Sequence, residues 1–296
     1  MTLSAIQLSL LIMYPFEIPA IDAHGHYGDY PPSSAIERSN PLTCGFMSAP
    51  AREVASRAKA SCIPWTIVSP LAGLLPRGTS VDVAAANEVA FREIPTVPGL
   101  LQYVIVNPLQ PKTYDQARTM LKSKWCVGIK IHPEEHCYRI ADRGDELFRF
   151  FAEVNAPVMT HSGCPNSVPA DFVPFANRYP TVRLLLAHLG NGGGDNQRPD
   201  LQVRAIQAAK HGNLWVDTSS SRSILPRLVE WAVAEVGAER LLFGTDTPLY
   251  HAAPQRARIE AAEIPMAAKR LILRENALKF FALDPALAPD AFARHG

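Results

Sequence analysis

The chain has 296 residues, 47% of them hydrophobic, with 29 Lys and Arg against 28 Asp and Glu. That length suits one large domain or two small ones, and with the charges so evenly balanced nothing argues for a surface built to grip nucleic acid or an acidic membrane. Five cysteines, none in a C-x-x-C pair, argue against a disulfide framework and for a reducing, cytoplasmic setting.

Leu3 to Met13 is apolar, yet no Lys or Arg precedes Arg38, so the positive start of a secretory signal is missing. No run reaches the length of a membrane span. Residues 1–20 read as a lead-in segment and 21–296 as the body of the protein. The body opens on Ile21-Asp22-Ala23-His24-Gly25-His26. Side chains alternate along a strand, so His24 and His26 point to one side and can grip a divalent metal. A loop rich in Tyr, Pro and Ser follows, from Tyr27 to Asn40. A helix is expected next, with Ser48 as N-cap, Pro50 in its first turn and a body ending at Ala60. The apolar run Cys62 to Val68 reads as a strand whose pairing begins after Pro64. A helix over 80–92 leads to the run Leu101 to Val106, and one over 113–123 leads to Val127-Gly-Ile-Lys-Ile-His132-Pro.

The second half repeats the pattern. A helix over 145–154 carries Leu147, Phe148, Phe151 and Val154 on one face and leads to Pro157-Val-Met-Thr-His161. A helix over 171–178 leads to Val182-Arg-Leu-Leu-Leu-Ala-His188. A helix over 199–210, closed by Gly212, leads to Leu214-Trp-Val-Asp217. A helix over 224–236, stopped by Gly237, leads to Leu241-Leu-Phe-Gly-Thr-Asp246, and helical sequence follows through 267–273 and 276–283. Eight apolar strands recurring every roughly 25–40 residues match the length of a βα unit. Continuous Val, Ile and Leu runs fit parallel strands covered on both faces. The expected fold is α/β, a single-domain closed (β/α)8 barrel with C-terminal helices. An open doubly wound sheet has no G-x-G-x-x-G after its first strand to favour it.

In such a barrel the site lies at the C-terminal strand ends. His24 and His26, Lys130 and His132, His161, His188, Asp217 and Asp246 all fall there. One His closing a strand has a plain explanation as a cap; six strands ending this way carry the inference. Imidazole and carboxylate suit zinc and its neighbours, and a metal lowers the pKa of bound water to about 7. Asp246 can ligate and move a proton, while His188 can polarise a carbonyl or stabilise an oxyanion.

The ordered set His24-x-His26, Gly128-Ile-Lys-Ile-His132-Pro, Thr160-His161-Ser, Ala187-His188-Leu-Gly, Val216-Asp-Thr-Ser219 and Phe243-Gly-Thr-Asp246-Thr-Pro resembles the amidohydrolase superfamily. More narrowly, it resembles the branch that includes aminocarboxymuconate-semialdehyde decarboxylase. The tail Arg274-Glu-Asn276-Ala-Leu-Lys-Phe-Phe is similar to that branch's closing helix, so the resemblance runs from about Asp22 to Leu283. It implies a (β/α)8 barrel with a metal held by His24, His26, His161 and Asp246. Asp246 then doubles as acid and base, and His188 is a second-site ligand or the polarising group. Two-metal members bridge their ions with a carboxylated lysine on strand four, the place of Lys130. The decarboxylase-like branch usually has one metal, so one ion is expected, zinc by default, with two as the alternative. His132 is then free to contact substrate, and Arg222, just past strand seven, is a candidate for binding a substrate carboxylate.

Tyr27, Tyr30, Tyr250 and His251 are expected to line the pocket mouth. His136, Cys137 and Cys164 lie near strand ends, but the cysteine spacing matches no zinc-finger pattern. His211 and His295 read as surface residues. Gly190-Asn-Gly-Gly-Gly194 lacks the Lys-Ser/Thr of a P-loop and reads as flexible backbone near substrate. The expected function is a metal-dependent hydrolase of a C–N or C–O bond in a small organic amide, lactone or ester, acting through metal-activated water. The alternative is a non-oxidative decarboxylase of the aminocarboxymuconate-semialdehyde type. No nucleic-acid or membrane partner is expected, and a homo-oligomer is left open.

Overall fold

The apolar runs become eight strands: β1 Ile21–Tyr27, β2 Trp65–Pro70, β3 Leu100–Ile105, β4 Cys126–Ile131, β5 Val158–Thr160, β6 Leu184–Leu186, β7 Leu214–Asp217 and β8 Leu241–Leu242. They are seen in a computed structural model that describes residues 18–32, 40–192, 198–220 and 222–284. All neighbours pair in parallel, in sequence order from β1 to β8. The chain just past β8 bonds back to β1, through Asp246 N to His24 O (2.7 Å) and His26 N to Thr247 O (2.6 Å). The sheet is thereby curled into an α/β barrel-like fold.

Helices cover the outside. They are α1 Pro41–Phe46, α2 Ala51–Ala60, α3 Val83–Glu93, α4 Lys112–Met120, α5 Ile140–Val154, α6 Pro169–Arg178, α7 Leu201–Ala208, α8 Leu228–Val236, α9 Ala252–Glu260, α10 Met266–Arg270 and α11 Asn276–Phe281. The strand residues Ile129, Ile131, Val158, Leu184, Leu186, Val216 and Leu241 pack outward against them in the main core. Ile21, Ile67, Leu101, Tyr103, Met159, Leu185 and Leu242 fill the inside, and Phe280 and Phe281 of α11 close the floor. Two residues further along the same inward faces come Lys130 after Gly128, His161 after Met159 and Asp246 after Gly244. Strand alternation therefore stacks a polar layer on an apolar plug.

Two irregularities complete that layer. A register shift in β1 between Asp22 and Gly25 lets Ala23 join the plug while His24 and His26 face the site. His188 shares the outward parity of Leu186, but its φ of 73° turns the chain at that point.

Several boundaries differ from the sequence reading. Helix α1 was not expected; the Asn40 side chain caps it by accepting from Leu42 N, and Pro41 sits in its first turn. Ser48 is not an N-cap: its hydroxyl donates to Cys44 O (2.7 Å) and accepts from Tyr30 N (2.8 Å), and α2 starts after Pro50. Helix α5 begins at Ile140, five residues early, after the extended Arg139, and its Gly144 lets the Phe175 ring of α6 approach closely. Helix α8 begins only at Leu228, since Arg227 has a φ of 64° that no helix interior accepts. Strand β8 is short because the bonds of residues 243–247 go to β1 and to Ile272 O. The lead-in reading for residues 1–20 falls outside the described residues up to residue 17. Among the described residues, no helix is long and apolar enough to cross a membrane.

Candidate functional site

The strand ends surround a cavity of about 350 Å³. Its lining includes His24, His26, His132, His161, His188 and Asp246 on the sheet side, and Leu71, Leu74, Leu75, Leu249, Tyr30 and Tyr250 from the loops. A larger cavity of about 510 Å³ lies at the opposite end, around Trp65, Trp125 and Phe281, and no histidine lines it.

The densest polar cluster is at the ends of β1 and β8. Nε2 of His24 lies 3.2 Å from Nε2 of His26. Oδ1 of Asp246 lies 3.6 Å from the first and 3.2 Å from the second. All three residues are buried, and their ligand atoms fall within 4.8 Å of one another. Asp217 Oδ2 accepts from His24 Nδ1 (2.9 Å), so the proton of the neutral ring sits on Nδ1 and Nε2 carries the lone pair. The Ser69 carbonyl (3.3 Å) and hydroxyl (2.9 Å) both face Nδ1 of His26. Two imidazole nitrogens and a carboxylate oxygen thus converge in a buried space, which is unfavourable unless a cation sits among them. In this structure the Lys130 ammonium supplies positive charge, donating to His24 Nε2 from 2.9 Å. The donor set fits a divalent metal, with His24 and His26 each oriented by a partner behind it.

The second group is joined to the first. His188 Nε2 is 3.1 Å from His161 Nδ1, and His161 Nε2 is 3.2 Å from Cys164 Sγ. His132 stacks on His161 with ring centroids 4.4 Å apart, and its Nδ1 accepts from Glu135 N (3.2 Å). His132 therefore has its Nε2–H to offer. The ligand atoms of His24, His188 and Asp217 also lie within 4.8 Å of one another.

Burial dominates the electrostatics. It holds His24, His132 and His188 well below the usual imidazole range, with the nearby His161 and Lys130 charges pushing the same way. Burial lowers the Lys130 ammonium to about 8 against the pull of Asp246 and Asp217. It raises Asp246, opposed by His26 and Lys130, and pushes Asp22 up to about 8 against its bonds from Thr245 and His24. Two site residues hold a left-handed backbone, His188 (φ 73°) and Asp246 (φ 58°). Such strain costs about 1–3 kcal/mol each and persists where the surroundings fix it. Here the fixing bonds are His188 N to Asp217 Oδ1 (3.0 Å) and Asp246 N to His24 O (2.7 Å).

The structure brings His24, His26, His132, His161, His188 and Asp246 to one cavity, with Lys130 buried behind His24. Tyr30 and Tyr250 line it too. Tyr27 does not: it follows the inward His26, so it faces out and packs with Ala49, Val54 and Val68. His251 instead caps α9, accepting from Ala253 N (3.2 Å). His136 is buried away from the cavity and donates to Gly73 O (2.9 Å). His211 is exposed, and His295 lies outside the described residues. Arg222 opens the turn Arg222–Ile224 after β7, and its side chain lies outside the described residues. Of the loop 190–194, Asn191 lines the cavity and residues 193 and 194 are not described. Sequence reasoning missed the leucine wall, the Arg77–Glu134 ion pair at its rim (2.7 Å), and the connections of Asp217. Its place at the end of an apolar run pointed to Asp217; nothing local pointed to the others.

A family model described as amidohydrolase matches residues 76–283. No curated protein matches the chain by sequence. Among solved structures, 2,6-dihydroxybenzoate decarboxylase from Rhizobium superposes with a TM-score of 0.68 at 15% identity, covering 90% of this chain and 99% of its own. A dihydroxybenzoic acid decarboxylase from a Polaromonas species, holding manganese and an inhibitor, gives 0.68 at 15% identity over 92% and 99%. A protein assigned as a 2-pyrone-4,6-dicarboxylic acid hydrolase from Pseudomonas putida gives 0.62 at 16% identity over 91% and 100%.

Proposed function

We propose that this chain, which belongs to the amidohydrolase family, is a metal-dependent, non-oxidative decarboxylase of a small aromatic or otherwise unsaturated carboxylic acid. The observation that carries the reading is the make-up of the cavity: a cation donor set on one side and Leu71, Leu74, Leu75 and Leu249 on the other. An apolar ring or unsaturated chain suits the leucine side, and its acid group suits the donor side. The two decarboxylases of dihydroxybenzoic acids that share the fold support the reading. The framework in this reading is a closed, single-domain (β/α)8 barrel.

His24, His26 and Asp246 would hold one divalent ion, with His161 as the fourth donor that the resemblance adds. Zinc and manganese both suit these ligands. When bound, the ion supplies positive charge that orients the substrate acid and stabilises the electron pair left on carbon as carbon dioxide departs. The residues do the rest. Asp246, buried beside the cluster, holds a proton and delivers it to the carbon that has lost its carboxyl group. His132 directs an Nε2–H donor at polar substituents of the substrate. Lys130 adds a fixed positive charge behind His24. The leucines keep water from the bond that breaks.

Hydrolysis of a C–N or C–O bond is the second reading, supported by the shared fold of the Pseudomonas putida protein. It uses the same residues, with Asp246 as base. The test is to give metal-loaded protein 2,6-dihydroxybenzoate and related hydroxybenzoic acids, and separately 2-pyrone-4,6-dicarboxylate, in deuterated, oxygen-18-labelled water. Carbon dioxide release with one solvent deuterium on the product ring is the expected result. Oxygen-18 in the product without carbon dioxide would overturn decarboxylation in favour of hydrolysis.

A further inference from the structure

Asp217 has no place in the chemistry above, yet it is fully buried and touches both groups of the site. Its Oδ2 accepts from His24 Nδ1 (2.9 Å). Its Oδ1 accepts from His188 N (3.0 Å), from Ser219 N (2.9 Å) and from the Ser219 hydroxyl. A serine hydroxyl has one proton, and Ser219 gives it to Asp217. Its oxygen can then only accept from the imidazoles it faces, His188 Nδ1 (2.9 Å) and His24 Nδ1 (3.0 Å). That puts the His188 proton on Nδ1 and leaves its Nε2 as an acceptor. His161 Nδ1, 3.1 Å from that Nε2, must then be the donor, which leaves His161 Nε2 with the lone pair facing Cys164 Sγ. Each step follows from one partner being able only to accept.

We infer that Asp217 is a positioning residue that sets which nitrogen is protonated on His24 directly, and on His188 and His161 through Ser219. One carboxylate thereby leaves Nε2 of His24 and of His161 unprotonated together, on two of the residues assigned above to the metal. The inference rests on the metal reading of the site but not on the reaction assigned to it. It also limits His188: while neutral, this ring accepts at Nε2 and cannot donate to an oxyanion there without taking a second proton.

The test is Asp217→Asn, read by nitrogen-15 NMR of the histidines in metal-free protein and by metal affinity in competition with a chelator. The Lys130 ammonium also holds His24 Nε2 as an acceptor (2.9 Å), so the tautomer is read with Lys130→Met as the background; there an amide at 217 can donate toward His24 Nδ1, and His24 is expected to lose its single Nδ1–H form. Affinity for zinc or manganese should fall on the order of 10–100-fold, the usual effect of removing a group that orients a ligand. Unchanged affinity and unchanged His24 tautomer would overturn the inference. Ser219→Ala leaves the Asp217–His24 bond and cuts the relay, and it decides the matter if the first variant does not fold. His188 and His161 should then show mixed tautomers while His24 keeps Nδ1–H; unmixed signals from His188 and His161 would overturn the relay. Neither readout uses substrate, so failure to decarboxylate, with both effects present, would sink the proposed reaction and leave this inference standing.

Discussion

At the scale of single residues, the open competition is for the lone pair of His24 Nε2. It receives the Lys130 ammonium at 2.9 Å and also faces His26 and Asp246. One lone pair cannot serve both an ammonium and a metal. If Lys130 is a plain amine, Lys130→Met removes a competitor, and the variant should keep about one divalent ion per chain, bound at least as tightly as in the wild type. If Lys130 is instead a carboxylated bridge between two ions, the same variant loses metal; elemental analysis of both proteins separates the cases. Asp246 carries the other residue-level expectation. Asn keeps the shape and an oxygen for the cation but cannot hold and release the proton, so Asp246→Asn should lower turnover by about 10²–10⁴-fold with bound metal largely kept. Turnover near the wild-type value would remove Asp246 from the proton-transfer role.

At the scale of elements, β1 is the strand on which the site depends. A Cβ placed on Gly25 would meet the Thr66 methyl at 2.5 Å and lie 3.3 Å from that of Thr247. Glycine lets β1 pass between β2 and the chain beyond β8 while presenting a histidine on either side. Gly25→Ala should destabilise the fold by about 1–3 kcal/mol through overpacking, measured by urea unfolding. Adding Thr66→Ser removes the clashing methyl and should recover part of the loss; equal loss in the double variant would show that the strain lies elsewhere. Most of the strands were legible in the sequence because continuous apolar runs report burial on both faces. Their edges were not. The start of α8 depends on the left-handed Arg227, and that of α5 on an extended Arg139 with no side-chain cap to announce it. Helix α1 is one short turn anchored by Asn40, too brief for a periodic signal.

At the scale of the whole molecule, what the sequence could not show is what lies across from what. His188 has the parity of an outward residue and reaches the cavity through its left-handed backbone, while Asp217 finds partners 193 residues away in His24 and 29 away at His188 N. The leucine wall comes from loops whose composition carries no period. Such long-range burial also makes the stability of the molecule depend on pH through a residue outside the site. His136 donates from Nε2 to Gly73 O, joining the loop after β4 to the loop after β2, and its Nδ1 is buried with no hydrogen-bond partner among the described residues. Burial lowers its pKa from 6.5 to about 4, with the Gly73 bond opposing. The folded state therefore binds this proton less readily than the unfolded chain does. The stabilisation is fully present above pH 6.5 and is lost as pH falls toward about 4, up to about 3 kcal/mol for a shift of this size. Replacing His136 by Gln, which can still donate to Gly73 O, should flatten the unfolding free energy between pH 6.5 and 4 by that amount relative to wild type. Denaturant curves across this window check it, and parallel pH profiles for the two proteins would show that His136 does not carry the acid sensitivity.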